Sequence, residues 1–218
     1  MRLQSAIFDM DGTLLDSMPT WRELGPTFLR EAGIEATPEQ LHTLRTITDH
    51  EVIPYLREVC GLPWSQQEII DQIIQRMETF YSSQVRPKPG LEKFLSILKM
   101  EGVWMYVATA THRRLTEKAL KTAGIDHYFR GIVTSADAGN HKSESADIYE
   151  MAMRRLQSNK RDTVVFEDAL HAIRTAKAAG FRVAGVYEAT AEQDQPEIQR
   201  LCDYYIRSYE ELVQSETF

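Results

Sequence analysis

From residue 103 onward the chain alternates short apolar runs with helical spacing, and this alternation restricts the fold more than any other feature. Val103 to Thr109 reads as a strand, Arg114 to Ala123 as a helix stopped by Gly124, and Gly131 to Ser135 as a short strand. Ala146 to Leu156 is a helix, Thr163 to Phe166 a strand, Leu170 to Ala179 a helix stopped by Gly180, and Arg182 to Tyr187 a strand. Tyr204 to Ile206 fits an edge strand and Tyr209 to Val213 a last helical turn. Leu3 to Phe8 supplies one more buried strand at the start of the chain. Strands separated by helices connect by right-handed crossovers, which predicts an α/β fold with a mainly parallel sheet and helices on both faces.

Between the first strand and this alternating part lies a stretch with no strand pattern, Ser17 to Val85. Trp21, Leu24, Phe28 and Leu29 recur at helical spacing up to Gly33. Thr37-Pro38-Glu39-Gln40 reads as an N-cap with proline in the first helical position, opening a helix through Leu41 and Leu44. Asp49 to Cys60 continues the helical text, with Pro54 in its first turn or bending it. Ser65-Gln66-Gln67-Glu68 has the capping-box pattern ahead of Ile69, Ile73, Met77 and Phe80. The expected division is a core of residues 1–16 and 86–218 and a helical insert of residues 17–85.

The formal net charge of −7 over 218 residues argues against a nucleic-acid or anionic-membrane partner, either of which favours a basic face. No run of about twenty apolar residues offers a membrane span, and no signal-peptide pattern opens the sequence. Cys60 and Cys202 form no ligand motif and read as two reduced thiols, so a cytoplasmic location is expected.

Ligands of open parallel sheets bind beyond the carboxyl ends of the strands. The first strand runs into Asp9-Met10-Asp11-Gly12-Thr13, where alternation puts both aspartates on one face and Gly12 allows a sharp turn. The second strand ends in Thr109, the fourth in Glu167-Asp168, and Lys142 lies in the loop after the third. Clustered carboxylates are costly without a cation or proton between them, and their hard oxygens suit Mg²⁺ sharing its shell with phosphate. The metal and Lys142 would offset phosphoryl charge, Thr109 would hydrogen-bond a phosphoryl oxygen, and one carboxylate could accept the group as an aspartyl-phosphate. Taken singly, each element has a plainer reading: a turn, helix-capping acids, a strand-end threonine or a solvated lysine. Their joint placement at the strand ends favours chemistry.

Phe8-Asp9-Met10-Asp11-Gly12-Thr13-Leu14 resembles the first motif of the haloacid dehalogenase superfamily. Tyr106 to Ala110 resembles its second motif, Lys142 with Ala146-Asp147-Ile148-Tyr149 its third, and Phe166 to Ile173 with Ala176 to Gly180 its fourth. The likeness is to the branch holding phosphoglycolate phosphatases, sugar-phosphate phosphatases and β-phosphoglucomutases. It implies a Rossmann-like three-layer core with an inserted C1-type α-helical cap. It also implies Asp9 as nucleophile and Asp11 as acid and base, with the Asp11 main-chain carbonyl reaching Mg²⁺. Thr109, Ala110 and Lys142 would bind the phosphoryl group, Lys142 also orienting Asp9. Asp168 would be the principal further metal ligand, with Glu167 in or beside the shell.

Two departures matter. Lys142-Ser143-Glu144-Ser145-Ala146-Asp147 is one residue longer than the family's third motif and lacks its prolines, which suggests a bulged loop. Where mutases of this branch carry a histidine the chain has Trp21, and Leu44-Arg45-Thr46-Ile47-Thr48-Asp49 lacks their loop glycine and arginine. The expectation is therefore a Mg²⁺-dependent phosphatase of a small phosphomonoester, ahead of a phosphosugar mutase. Asp11 argues against carbon–halogen chemistry, and residues 17–85 contain no lysine for a phosphonate-cleaving Schiff base. A non-enzymatic phosphoacceptor of the receiver type has similar acids but no evident need of a helical insert. Trp21, Arg45 and Arg22 are the candidate specificity residues of the insert, Trp21 being expected to pack in its core. A monomer or weak homodimer is expected.

Overall fold

Along each strand, alternate residues enter opposite apolar layers, and helices cover both. The computed structural model describes residues 3–47 and 49–214, except the side chains of residues 49, 50 and 214. β1 (Ser5–Phe8) leads to α1 (Met18–Glu31), α2 (Pro38–Thr46), α3 (Asp49–Pro54) and α4 (Gln66–Ser83). Then come α5 (Leu91–Met100), β2 (Trp104–Thr109), α6 (Arg113–Thr122), β3 (Ile132–Thr134), α7 (Ser135–Ala138) and α8 (Asp147–Arg155). The chain finishes with β4 (Thr163–Glu167), α9 (Leu170–Ala178), β5 (Arg182–Val186), α10 (Gln195–Leu201), β6 (Tyr204–Ile206) and α11 (Tyr209–Gln214).

The strands form one sheet in the order β3-β2-β1-β4-β5-β6, and every neighbouring pair is parallel. Ala6, Phe8, Val107 and Phe166 face the layer of α5, α6 and α11, whereas Ile7, Ala108, Val165 and Val183 face α8, α9 and α10. This is the expected three-layer α/β core. β1 lies at its centre, flanked by β2 and β4, so the second and fourth motifs are placed on either side of Asp9. Phe8 stacks on Phe166 with ring centroids 4.3 Å apart. Truncating such a fully buried ring costs roughly 3–5 kcal/mol, which ties the packing of β1 on β4 to the placement of the site.

Among the described residues, the stretch between β1 and α5 carries helices and no strand. Thr37 and Ser65 each close a capping box, as their sequences predict. Pro54 ends α3, and a π-helical turn over Tyr55–Val59 follows it. The predicted apolar row of α4 needs one correction. Ile69, Met77 and Tyr81 are the buried residues, while Ile73 and Phe80 are half-buried. The row thus keeps a four-residue step to its end, where the Tyr81 hydroxyl meets Trp21, Asp11 and Thr111. Thr48 of the predicted loop lies outside the described residues.

α7 and α10 were not anticipated from the sequence. α10 has little apolar text, and it is anchored by buried Ile198 and by Gln195, which donates to the Glu188 and Ala191 carbonyls at 3.2 Å each. Cys60 and Cys202 are both free. Among the described residues, no helix is long and apolar enough to cross a membrane.

Candidate active site

β1 ends at Phe8, one residue before the first acid, and the ladder is carried on only by the Asp9 N–H donating to Phe166 O at 3.0 Å. The chain then coils tightly: the N–H groups of Leu14 and Leu15 both donate to the Met10 carbonyl at 2.9 Å. Because the strand has already stopped, Asp9 and Asp11 do not obey strand alternation. Both lie beyond the strand's carboxyl end, but their carboxylates have separate sets of partners. Gly12 permits this with φ +85°, and a Cβ there would lie 2.3 Å from Asp168 Oδ2. The first and fourth motifs therefore meet at a point where only glycine fits.

Asp9 occupies a charged cluster. Lys142 Nζ donates to Asp9 Oδ1 and, at 2.8 Å, to Glu167 Oε1, which also accepts from the Tyr149 hydroxyl at 2.9 Å. Glu167 Oε2 accepts from the N–H groups of Asp168 and Ala169 at 3.0 and 3.1 Å. Thr13 donates to Asp168 Oδ1 at 2.9 Å. The longer loop after Lys142 is absorbed in a turn, with the N–H groups of Glu144 and Ser145 donating to the His141 carbonyl. Lys142 thus reaches Asp9 despite the extra residue.

Burial pushes the Asp9 carboxyl well above its ordinary value; Lys142 opposes that shift, and the Glu167 charge adds to it. Asp168 is likewise raised, by burial first and then by Glu167 and Asp9. Burial would also raise Glu167, but the charge and hydrogen bond of Lys142, with the Ala169 N–H, hold it below the usual range. Burial disfavours the Lys142 ammonium, yet Asp9 and Glu167 more than compensate and keep it protonated. Three acids thus face one ammonium, a deficit of positive charge that protons or a cation must meet. Carboxylate oxygens of Asp9, Glu167 and Asp168 all lie within 4.8 Å of one another, a set of hard donors that fits Mg²⁺. Asp11 is not part of that carboxylate cluster.

Asp11 is instead surrounded by neutral hydroxyls. Ser17 and Tyr81 donate to its Oδ1 at 2.6 and 2.5 Å, and Thr111 donates to its Oδ2 at 2.7 Å. Tyr81 OH in turn accepts from Trp21 Nε1 at 3.0 Å. Thr109 is buried at the end of β2, where its Oγ1 accepts from the Thr111 N–H at 3.1 Å, and Ala110 is exposed beside it. Of the predicted insert residues, Trp21 is half-buried and packed against the core, as expected. Arg45 is exposed on α2, and Arg22 is half-buried on α1 with its Nε lacking a partner. Neither arginine hydrogen-bonds to the acids among the described residues.

Sequence reasoning missed Tyr81, Thr111, Ser17 and Tyr149 as site residues. Thr111 stands two residues after a motif threonine, and Ser17 two residues before a helix proline, so both had local signals. Tyr81 had only its place on the four-residue row of α4.

The family described as haloacid dehalogenase-like hydrolases matches residues 6–186. "Phosphorylated carbohydrates phosphatase" of Thermotoga maritima is 26% identical over 185 residues, covering 84% of this chain and 85% of its own. "Hexitol phosphatase B" of Escherichia coli K12 is 26% identical over 217 residues, covering 97% and 95%. Among solved structures, a mutant of CbbY from Rhodobacter sphaeroides in complex with xylulose-(1,5)bisphosphate superposes with a TM-score of 0.79 at 23% identity, covering 96% of each chain. A β-phosphoglucomutase from Clostridium difficile superposes with a TM-score of 0.71 at 20% identity, covering 97% of this chain and 93% of its own. These two share the fold. The family match spans all four motifs, and the chain belongs to the haloacid dehalogenase-like hydrolases.

Proposed function

We propose that the protein is a Mg²⁺-dependent phosphatase acting on a small phosphomonoester, a sugar phosphate or similar, through an aspartyl-phosphate on Asp9. The observation that carries this reading is the pairing of two unlike aspartates at one strand end. Asp9 is held by Lys142 among acids, and Asp11 is held apart by hydroxyls. The carbohydrate and hexitol phosphatases among the relatives support the substrate class.

In this mechanism an Asp9 carboxylate oxygen attacks phosphorus in line with the ester oxygen, which leaves with a proton from Asp11. Asp11 then takes a proton from the water whose oxygen displaces Asp9, releasing inorganic phosphate. Lys142 and Thr109 hold the transferring phosphoryl oxygens, with Ala110 at the exposed edge of that site. Asp9, Asp168 and the Asp11 main-chain carbonyl would hold Mg²⁺. Glu167 sits beside the shell, because both its oxygens already accept protein donors. When bound, the metal supplies positive charge that lets an anionic carboxylate approach an anionic ester. Residues 17–85 act as a lid over a core of residues 1–16 and 86–218, with specificity set by Trp21 and Arg45 on the lid's side.

The test is phosphate release from a panel of sugar phosphates, phosphoglycolate and nucleotides with Mg²⁺. EDTA should abolish release, and Asp9→Asn should be folded and inactive. Turnover that survives Asp9→Asn would sink the mechanism. Isomerisation of β-glucose 1-phosphate with its bisphosphate, at a rate above hydrolysis, would replace phosphatase by mutase.

A further inference from the structure

Asp11 Oδ1 and Oδ2 have different surroundings. Oδ1 accepts two hydroxyl donors, Ser17 at the start of α1 and Tyr81 near the end of α4, both from the helical insert's side. Oδ2 accepts one, from Thr111, whose own N–H donates to Thr109 Oγ1 at the tip of β2. Oδ2 is therefore the oxygen linked to the phosphoryl-binding side. Oδ1, with two hydroxyl donors, is the more fully occupied oxygen, and Oδ2, with one, has the more room for a proton. Tyr81 is itself fixed. Its ring is fully buried, its oxygen faces the Trp21 Nε1–H and the Thr111 hydroxyl, and its own hydrogen is directed to Asp11 Oδ1.

We propose that Tyr81, held by Trp21, is a positioning residue for proton transfer: it reserves Asp11 Oδ1 as an acceptor, so that the transferred proton leaves from and returns to Oδ2. This deepens the phosphatase reading and rests on it. Tyr81 neither gains nor loses a proton in the cycle. The ester P–O bond breaks as the Asp9 O–P bond forms, and the leaving oxygen takes the Oδ2 proton. Water then returns a proton to Oδ2 as its oxygen displaces Asp9. Since Trp21 and Tyr81 belong to the helical insert, the placement of α1 and α4 on the core sets the orientation of a core carboxyl. The geometry couples lid to acid through the Trp21–Tyr81–Asp11 hydrogen bonds.

Two esters separate positioning from general damage. A sugar phosphate needs its leaving alkoxide protonated, whereas para-nitrophenyl phosphate expels a stable phenolate without help. Tyr81→Phe keeps the ring and removes only the hydroxyl. kcat/KM, which reports steps up to loss of the alcohol, should fall roughly tenfold or more for the sugar phosphate, a fraction of what general acid catalysis is worth. For para-nitrophenyl phosphate kcat/KM should change less than about twofold while kcat and KM fall together, because only the later water attack is slowed. Trp21→Phe, which removes the indole N–H, should show the same pattern more weakly and stands in if Tyr81→Phe folds poorly. An equal fall in kcat/KM for both esters, or no change for either, overturns the proposal. The wild type and Asp9→Asn are run beside it. Turnover that persists in Asp9→Asn removes the parent reading and this one with it, whereas an Asp9-dependent wild type with an unaffected Tyr81→Phe removes this one alone.

Discussion

Asp9 lies among charges, with Lys142 on one oxygen and Glu167 and Asp168 close by, contributed by the turn after β1, the loop between α7 and α8 and the end of β4. Asp11 lies among neutral hydroxyls drawn from the start of α1, from α4 and from the loop after β2. The first nest is built from the strand ends and loops of the sheet with Tyr149 of α8; the second is completed only by the helical insert. Two identical side chains, separated by one residue, thus have different surroundings, and the proposed mechanism gives them different chemistry. A nucleophile needs a fixed position and a counter-charge, which rigid strand ends provide. A proton carrier needs exchangeable partners, and hydroxyls, which both donate and accept, supply them.

The strongest way to break this comparison is to neutralise each aspartate in turn. Asp9→Asn should lower turnover roughly 10⁴-fold or more, as loss of a nucleophile does, and should leave no acid-stable label on the protein from para-nitrophenyl phosphate. Asp11→Asn should slow sugar-phosphate turnover roughly 10²- to 10⁴-fold, yet still release about one equivalent of nitrophenol while phosphoprotein accumulates. If Asp11→Asn accumulates no phosphoprotein, the two aspartates are not divided in this way.

A second prediction concerns the charged nest alone. In the metal-free protein Asp9 and Asp168 have folded pKa values raised above 3.8. Between 3.8 and those raised values the folded state binds protons that the unfolded state does not, so stability rises as pH falls through this window. Glu167 acts in the opposite sense, but its lowered value confines that loss to pH below 4.5. Lys142 contributes fully below 10.5. Chemical unfolding in EDTA should therefore show stability increasing as pH falls toward 4.5, where the opposing Glu167 contribution sets in. Mg²⁺ at about 100 times its Kd should replace the protons, flatten the slope and raise Tm at neutral pH by roughly 5–10 °C. The double variant Asp9→Asn, Asp168→Asn should lose both the slope and the Mg²⁺ shift. A slope that survives this double change would assign it to groups elsewhere. Thr111→Val, on the hydroxyl side, should leave it in place.

The division between the nests also explains what the sequence shows and what it conceals. The sheet and most of the charged nest are legible because each part has a local sign: an apolar run with an acid or threonine at or just past its end, Lys142 lying further along the loop that follows β3 and α7. Parallel topology does the rest, bringing Asp9, Thr109, Lys142 and Asp168 together whatever lies between them. Even the longer loop after Lys142 matters little, since a turn takes up the extra residue. The hydroxyl nest has no such sign. Tyr81 stands 70 positions from Asp11 and looks in sequence like one more apolar residue of an amphipathic helix. Its partnership depends on how α4 rests against the core, which is a matter of packing between segments and not of any local period. α10 was hidden for a related reason, being held by a buried glutamine instead of an apolar stripe.

The smallest expected effect probes that resting place. Glu78, three residues before Tyr81 on α4, accepts from Arg114 Nη2 at 2.5 Å and Lys118 Nζ at 3.4 Å, both on α6. The side chains are 33%, 66% and 40% exposed, so these bridges are wet and contribute under about 1 kcal/mol together. Glu78→Gln should accordingly shift Tm by no more than about 4 °C. Its catalytic effect should be a two- to threefold loss of sugar-phosphate kcat/KM at low salt that shrinks toward about 1 M salt, where a Debye length of about 3 Å weakens exposed pairs. Buried Met77 and Tyr81 on the same helix would then hold α4 in place, with the ion pairs only trimming its fit. A loss that matches Tyr81→Phe and persists in high salt would reverse that order: the docking of α4, and not the tyrosine hydroxyl, would govern Asp11.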